Sequence, residues 1–299
     1  MRIGYIAKHG SGGNDDEGAI LNALRDLGAT VIIVSENKPL RGLNVNCDFY
    51  LIHKIPRVSV LDDLKRKSPV VMWYFDLVDY PDPTLRLRCE QRKRWMRNVL
   101  PHIALGFCTD GQWVKQDGTG KLHTLRQGAD QRIVGKAPYN SDNYRNRILF
   151  TGIRKGGKLR ESFVDEMLST YGSRFDHVKS GVYREALAER ISESAVVVAP
   201  DCPIFNSYWS NRVYMACGFG AFMIHPYCED LLDEYQETQE VLYYRDREEL
   251  HKIINNAYKG YYPRQDISEN ALDRTIKEHL YTHRCARMLN IIEDQLGIK

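Results

Sequence analysis

Three stretches of this 299-residue chain place reactive side chains at a spacing that can present them together. Thr151-Gly-Ile-Arg-Lys-Gly-Gly-Lys-Leu-Arg160 puts four cations, Arg154, Lys155, Lys158 and Arg160, into a glycine-rich loop. Glycine lets backbone N–H groups approach an anion, and arginine can bond two phosphate oxygens at once, so the loop suits a diphosphate. A solvated basic loop is the plain alternative. In the second stretch, Asn206, Tyr208 and Trp209 bring hydrogen-bonding and stacking groups fit for a sugar or a base. A helix is expected to open near Ser210, where Ser210 or Asn211 can cap it and its free N–H groups can hold a phosphate. Arg212 adds a full positive charge to that first turn, whereas Val213, Ala216 and Met223 read as packing. The third stretch is His9-Gly10-Ser11-Gly12-Gly13-Asn14, followed by Asp15-Asp16-Glu17. Its spacing is neither GxGxxG nor that of a P-loop, and the acidic cluster opposes a phosphate at that helix end. The loop, with Gly12 and Gly13, therefore suits a sugar or acceptor hydroxyl, with Asp15, Asp16 or His9 as a base. The alternative is an ordinary strand-to-helix connection with a well-capped helix.

Two further features carry charge. Asp76 lies in Trp73-Tyr-Phe-Asp-Leu-Val-Asp-Tyr80, after an apolar run, and is a second candidate base or else a cap or turn residue. Asp110, in Phe107-Cys-Thr-Asp-Gly-Gln-Trp113, reads as a turn residue. Arg86, Arg88, Arg92, Lys93, Arg94 and Arg97 crowd one segment, with Glu90 the only acid among them. Such a patch, Arg92 and Arg94 above all, can contact the phosphates of a polyanionic acceptor such as DNA, or can be a solvated helix face. Residues 1–145 hold 22 Lys and Arg against 16 Asp and Glu, whereas residues 146–299 hold 20 against 23. The basic half is the natural side for an anionic partner.

The elements that must position these groups follow from the apolar pattern. Arg2–Ala7, Thr30–Ser35, Asp48–His53, Val70–Phe75 and His102–Cys108 read as strands, and their continuous apolar runs suit a parallel sheet covered on both faces. Helices are expected from Asp15 to Leu27 and over Thr84–Val99. The polar stretch Lys136–Asn146 reads as a linker. A second alternation then begins, with strands at Arg147–Thr151, Phe175–Val178, Ala195–Ala199, Ala221–His225 and Val241–Tyr244. Helices are expected at Leu159–Thr170, Glu185–Ser194, Ser210–Cys217, Leu231–Glu237 and Arg247–Tyr258, and the tail Ser268–Leu296 is helical by pattern. The class is α/β, with two Rossmann-like doubly wound domains in series whose ligands belong beyond the carboxyl ends of the strands, in a cleft for two substrates. The expected division is 1–140 for an acceptor domain, 146–270 for a donor domain and 271–299 for a C-terminal helix.

Other classes are disfavoured. No run of about 18 apolar residues exists for a membrane span. Met-Arg-Ile-Gly-Tyr-Ile-Ala is strand-like rather than a signal peptide. Seven cysteines, none at CxxC spacing, argue against a zinc knuckle or disulfide framework and fit a reducing cytoplasm.

Tyr208-Trp-Ser-Asn-Arg-Val-Tyr, Gly218, Gly220-Ala-Phe-Met-Ile-His-Pro-Tyr227 and Glu240-Val-Leu-Tyr-Tyr-Arg-Asp-Arg-Glu-Glu-Leu250 together resemble the donor-binding half of GT-B glycosyltransferases, nearest the CgeB-like or glycosyltransferase family 1-like group. The resemblance implies a nucleotide-diphospho-sugar donor, a UDP-sugar first among them, gripped in the second domain. It implies an acceptor against the first domain, no bound metal, no resident cofactor, and a C-terminal helix that crosses back. One position departs from the pattern. Met215 stands where the resemblance implies a glutamate bonding the donor ribose, and methionine cannot accept that bond; Asp230 or Glu229 would have to serve, or donor binding is altered or lost. The competing readings are a GT-B-like nucleotide- or DNA-binding protein without turnover and a sugar-nucleotide epimerase.

Overall fold

The computed structural model describes the chain except residues 9–15, 37–39, 41–42, 54–57, 80–85, 136–146, 153, 155–157, 179–181, 183 and 200–206. It divides into two compact units, Met1–Gln127 with Tyr281–Lys299, and Gly128–Leu280. The expected linker over 136–146 lies outside the described residues.

The first unit runs β1 (Arg2–Ala7), α1 (Asp16–Asp26), β2 (Thr30–Ser35), β3 (Phe49–Ile52), α2 (Val58–Lys65), β4 (Val70–Tyr74), α3 (Arg86–Val99), β5 (Leu105–Cys108), α4 (Gly111–Gln116) and β6 (Leu122–Thr124). The second runs β7 (Ile148–Thr151), α5 (Lys158–Tyr171), β8 (Phe175–Val178), α6 (Arg184–Ser192), β9 (Val196–Val198), α7 (Arg212–Gly218), β10 (Met223–Pro226), β11 (Leu242–Tyr244), α8 (Arg247–Tyr258) and α9 (Arg264–Glu278). The last helix, α10 (Tyr281–Leu296), belongs to the first unit and packs on α1.

Each unit is one parallel sheet, ordered β2-β1-β3-β4-β5-β6 in the first and β11-β10-β9-β7-β8 in the second. Alternate strand residues enter opposite cores. Phe49 and Leu51 pack with Ile20 of α1 and with Met288 and Ile292 of α10, whereas Tyr50 and Ile52 pack with Leu61 of α2 and Met96 of α3. The same division separates Leu149 and Val197 from Ile148 and Val196 in the second unit. Two buried faces explain strands that are apolar throughout; each fully buried side chain of this kind contributes about 1.5–3 kcal/mol. Both sheets reverse direction once, between β1 and β3 and between β7 and β9. In open α/β sheets such a switch point, at the carboxyl ends of its strands, is where ligands bind.

Two helical expectations are corrected. Leu231–Glu237 is no helix; only a short 3₁₀ turn, Glu229–Leu231, forms there. The carbonyls a helix would need are taken by side chains from elsewhere: Asp233 and Glu234 by Arg274, Glu234 also by His279, and Tyr235 by Tyr243. The helical tail also breaks after Glu278, where the Ala129 N–H donates to the His279 carbonyl and Leu280 bridges Ala129. Neither break has a proline or glycine to announce it.

Candidate active site

In the second unit β7 ends at the switch point and the chain turns at Gly152, whose φ of 151° lies where only glycine is unstrained. The turn is pinned from both sides. Its N–H donates to the Val178 carbonyl at 3.0 Å, and its carbonyl accepts from His177 Nε2 at 2.8 Å. A Cβ at this position would stand 3.1 Å from Arg212 Nη2. The guanidinium of Arg212 thus reaches from the start of α7 to the end of β7. It lies 5.7 Å from the centroid of Phe150 and donates to Ser210 Oγ at 3.1 Å. Phe150 is itself stacked with His177, centroids 5.3 Å apart. Neither Phe150 nor His177 stands out in the sequence, because each matters only through the strand pairing that brings β8 beside β7.

The other expected donor groups scatter. Asn211 precedes α7 in a helical conformation and makes no side-chain capping bond, so the Asn211 cap is corrected, and the Ser210 hydroxyl accepts from Arg212. Tyr208 is half-buried. Trp209 is 2% exposed and sits in the core, its Nε1 donating to Tyr214 Oη at 2.8 Å, which leaves its ring no open face for stacking a base. Arg154 is exposed and pairs with Asp165 of α5. Lys158 is the exposed first residue of α5, and Arg160, two residues on, is half-buried. Asn206 lies outside the described residues. Met215 packs half-buried against the core, Asp230 is half-buried and Glu229 exposed. Gly218 lets α7 approach α9, since a Cβ there would meet Val134 at 3.0 Å and Thr275 at 3.4 Å.

A hydrogen-bonded relay underlies this loop. Tyr214 Oη receives the Trp209 N–H and donates to Glu234 Oε2 at 2.8 Å. Buried His279 meets the same oxygen through Nδ1 at 3.2 Å and donates through Nε2 to the Glu234 carbonyl at 2.9 Å. The relay ties the backbone just before Arg212 to the β10–β11 connection and the end of α9.

The carboxyl edge of the first unit is built from braced carboxylates. Asp16, the first residue of α1, accepts from Gln127 Nε2 at 3.1 Å. Asp76, after β4, pairs with Arg92 at 3.1 Å, and Arg92 also donates to the Leu77 carbonyl at 2.6 Å. Asp110 is fully buried and accepts from the backbone N–H of Trp113, Val78 and Asp79, at 3.0, 2.9 and 3.3 Å. Burial pushes its carboxyl above the usual carboxylate range, against the pull of those three amides. His53, after β3, is buried beside the switch point. Its Nδ1 faces the Trp73 carbonyl at 2.9 Å and so must donate there, which leaves Nε2 to accept the Tyr5 hydroxyl at 2.6 Å. Gln127 and His53 are the residues sequence reading passes over, and Asp110, read there as a turn residue, caps α4.

Arg92 is thus an internal brace, whereas Arg94 is exposed and makes no ion pair among the described residues. His9, Gly12 and Gly13 lie outside the described residues. Among the described residues no three His, Cys, Asp or Glu side chains converge as a metal site, and no helix is long and apolar enough to cross a membrane.

Two parallel doubly wound sheets, with an arginine laid against the glycine at the second switch point, are those of a glycosyltransferase of the GT-B fold. Residues 125–290 match the model of the glycosyl transferase-like family, more than half the chain, and the protein belongs to that family. No curated protein matches it by sequence. Solved structures match over nearly the whole length. Sucrose-phosphate synthase from Thermosynechococcus elongatus has a TM-score of 0.69 at 12% identity, covering 100% of both chains. HepE from Anabaena in complex with UDP has a TM-score of 0.62 at 11% identity, covering 98% of this chain and 100% of that one. A glycosyltransferase from Rickettsia africae has a TM-score of 0.61 at 10% identity, covering 100% and 99%. At such identities the likeness establishes the fold.

Proposed function

We propose that the protein moves a hexosyl or pentosyl unit from a UDP-sugar to an acceptor hydroxyl. The observation that carries the reading is Arg212 laid against Gly152 and Phe150 at the second switch point. HepE, which shares the fold, binds UDP and UDP-glucose. In the transfer the bond from the anomeric carbon to the β-phosphate oxygen breaks, the acceptor oxygen bonds that carbon, and UDP leaves with the electron pair. A preorganised guanidinium meets the charge growing on the leaving phosphate. Arg212 takes that role, and Lys158 and Arg160 add positive charge after the same strand. If configuration inverts, the acceptor proton needs a base, and Asp16 is the better placed carboxylate. It follows β1 at the switch point and is oriented by Gln127, whereas Asp76 follows β4 and is already occupied by Arg92. Arg86 and Arg94, exposed on α3, favour an anionic acceptor, of which DNA is the most highly charged case.

One observation favours a rival. Met215 packs its thioether against the core where the resemblance implies a ribose-binding glutamate, as in a fold that binds the nucleotide without turnover. Calorimetry and a UDP-release assay on the purified chain, run over UDP-, GDP-, TDP- and ADP-sugars, separate the two. Binding with release of nucleotide diphosphate into a glycosylated acceptor is expected. Binding without release selects the rival, and no binding by folded protein removes both.

A further inference from the structure

The amino edge of the six-stranded sheet holds a cavity of about 380 Å³ that the transferase reading does not use. Its walls come from the ends of α3 and α4 and from the turns leading into β5 and β6. Asp16, His53, Asp76 and Asp110 follow the other ends of their strands, so cavity and carboxyl edge lie at opposite ends of the sheet.

The lining is mixed in charge. Arg97 is exposed and makes no hydrogen bond or ion pair among the described residues. Lys121 donates to the Leu100 and Ile103 carbonyls at 3.3 and 3.1 Å, and an ammonium carries three N–H groups, so one remains. Gln116, Asp117 and Thr119 supply neutral and acidic partners, with Thr119 Oγ1 donating to Asp117 at 2.5 Å. Trp113 contributes to the wall at 8% exposure, and its Nε1–H meets no acceptor among the described residues. A buried donor left without a partner is uncommon and calls for an explanation.

We propose that this cavity binds an anionic carbohydrate unit, a hexose bearing a carboxylate or a phosphate. A bare anion would be repelled by Asp117 and would leave the Gln116 amide unused. A neutral sugar would leave the unpaired guanidinium unused. A charged hexose uses both, with its anion on Arg97 and Lys121 and its hydroxyls on Gln116, Asp117 and Thr119, in a wall that Trp113 completes. Binding here requires no nucleotide sugar, so it can fail while the transferase reading stands, and the reverse.

The test titrates the full chain, without donor, with D-glucuronate, glucose 6-phosphate, D-glucose and inorganic phosphate, followed by calorimetry and tryptophan fluorescence. At least one charged hexose is expected to saturate, at least tenfold tighter than glucose or phosphate, and the arm that does so says whether carboxylate or phosphate is the charge. R97Q is expected to weaken that binding at least tenfold, T119A by less, and W113F to abolish the fluorescence change. Because W113F could impair folding, the exposed variant R97Q decides, with circular dichroism as a control. Failure of both charged hexoses to bind, phosphate binding as tightly as either, or unchanged affinity in R97Q would each overturn the proposal.

Discussion

The carboxyl edges of the two sheets are built on the same plan and furnished in opposite ways. In the second unit the switch point offers positive charge: a guanidinium rests on an aromatic ring and against a glycine, with a serine hydroxyl as its side-chain support. In the first unit the edge offers carboxylates, and each is held by a neighbour, Asp16 by Gln127, Asp76 by Arg92 and Asp110 by three backbone amides. One fold thus places a guanidinium at the carboxyl edge of one sheet and held carboxylates at that of the other. The difference lies in a few residues after particular strands, while the strands of both sheets are apolar runs.

That contrast can be broken most sharply at the carboxylates. Asp16→Asn is expected to lower kcat by ~10²–10⁴, the range for loss of a general base, and Asp76→Asn by about tenfold at most. Reversed magnitudes in steady-state kinetics would move the base to the β4 end. Next in size, Arg212→Ala should weaken UDP-sugar binding by ~1.5–3 kcal/mol, about 10–150-fold, with the melting temperature nearly unchanged. Unfolding on that substitution would make Arg212 a scaffold residue.

A smaller effect sharpens the difference between a working carboxylate and a brace. Asp110→Asn removes an oxygen acceptor from buried amides and should cost ~1–3 kcal/mol in urea unfolding, with less effect on kcat than Asp16→Asn. Because burial raises the Asp110 pKa above its ordinary 3.8, the folded state holds the proton more tightly than the unfolded chain. Its stabilising contribution is fully present below pH 3.8 and is lost as pH rises through the raised value, so the wild-type advantage over the Asn variant should shrink from pH ~4 toward neutrality. A gap that widened instead would show that hydrogen bonds to the ionised form outweigh desolvation. Smallest of all, Arg94→Gln should lower the salt slope of binding to a polyanion by about 0.7–0.9, one counterion's worth. An unchanged slope takes that helix out of the acceptor site.

Much of this architecture is legible in the amino acids alone. Apolar runs such as Phe49–Ile52 and Val70–Tyr74, short and rich in β-branched and aromatic residues, read as strands buried on both sides, and alternation with amphipathic helices makes the class α/β. The glycine after β7 and the arginine opening α7 stand out by type, since one frees the backbone and the other carries fixed charge. Tertiary structure decided what those residues meet. Arg212 reaches Gly152 because β9 pairs with β7, a long-range choice that no local window encodes. The same holds for Trp209, an apparent stacking platform in the sequence that the fold spends in the core, and for 231–237, where distant side chains take the carbonyls a helix would have used. Propensity and periodicity act over a turn or two of chain, whereas strand order and buried hydrogen bonds are settled only when the whole core closes.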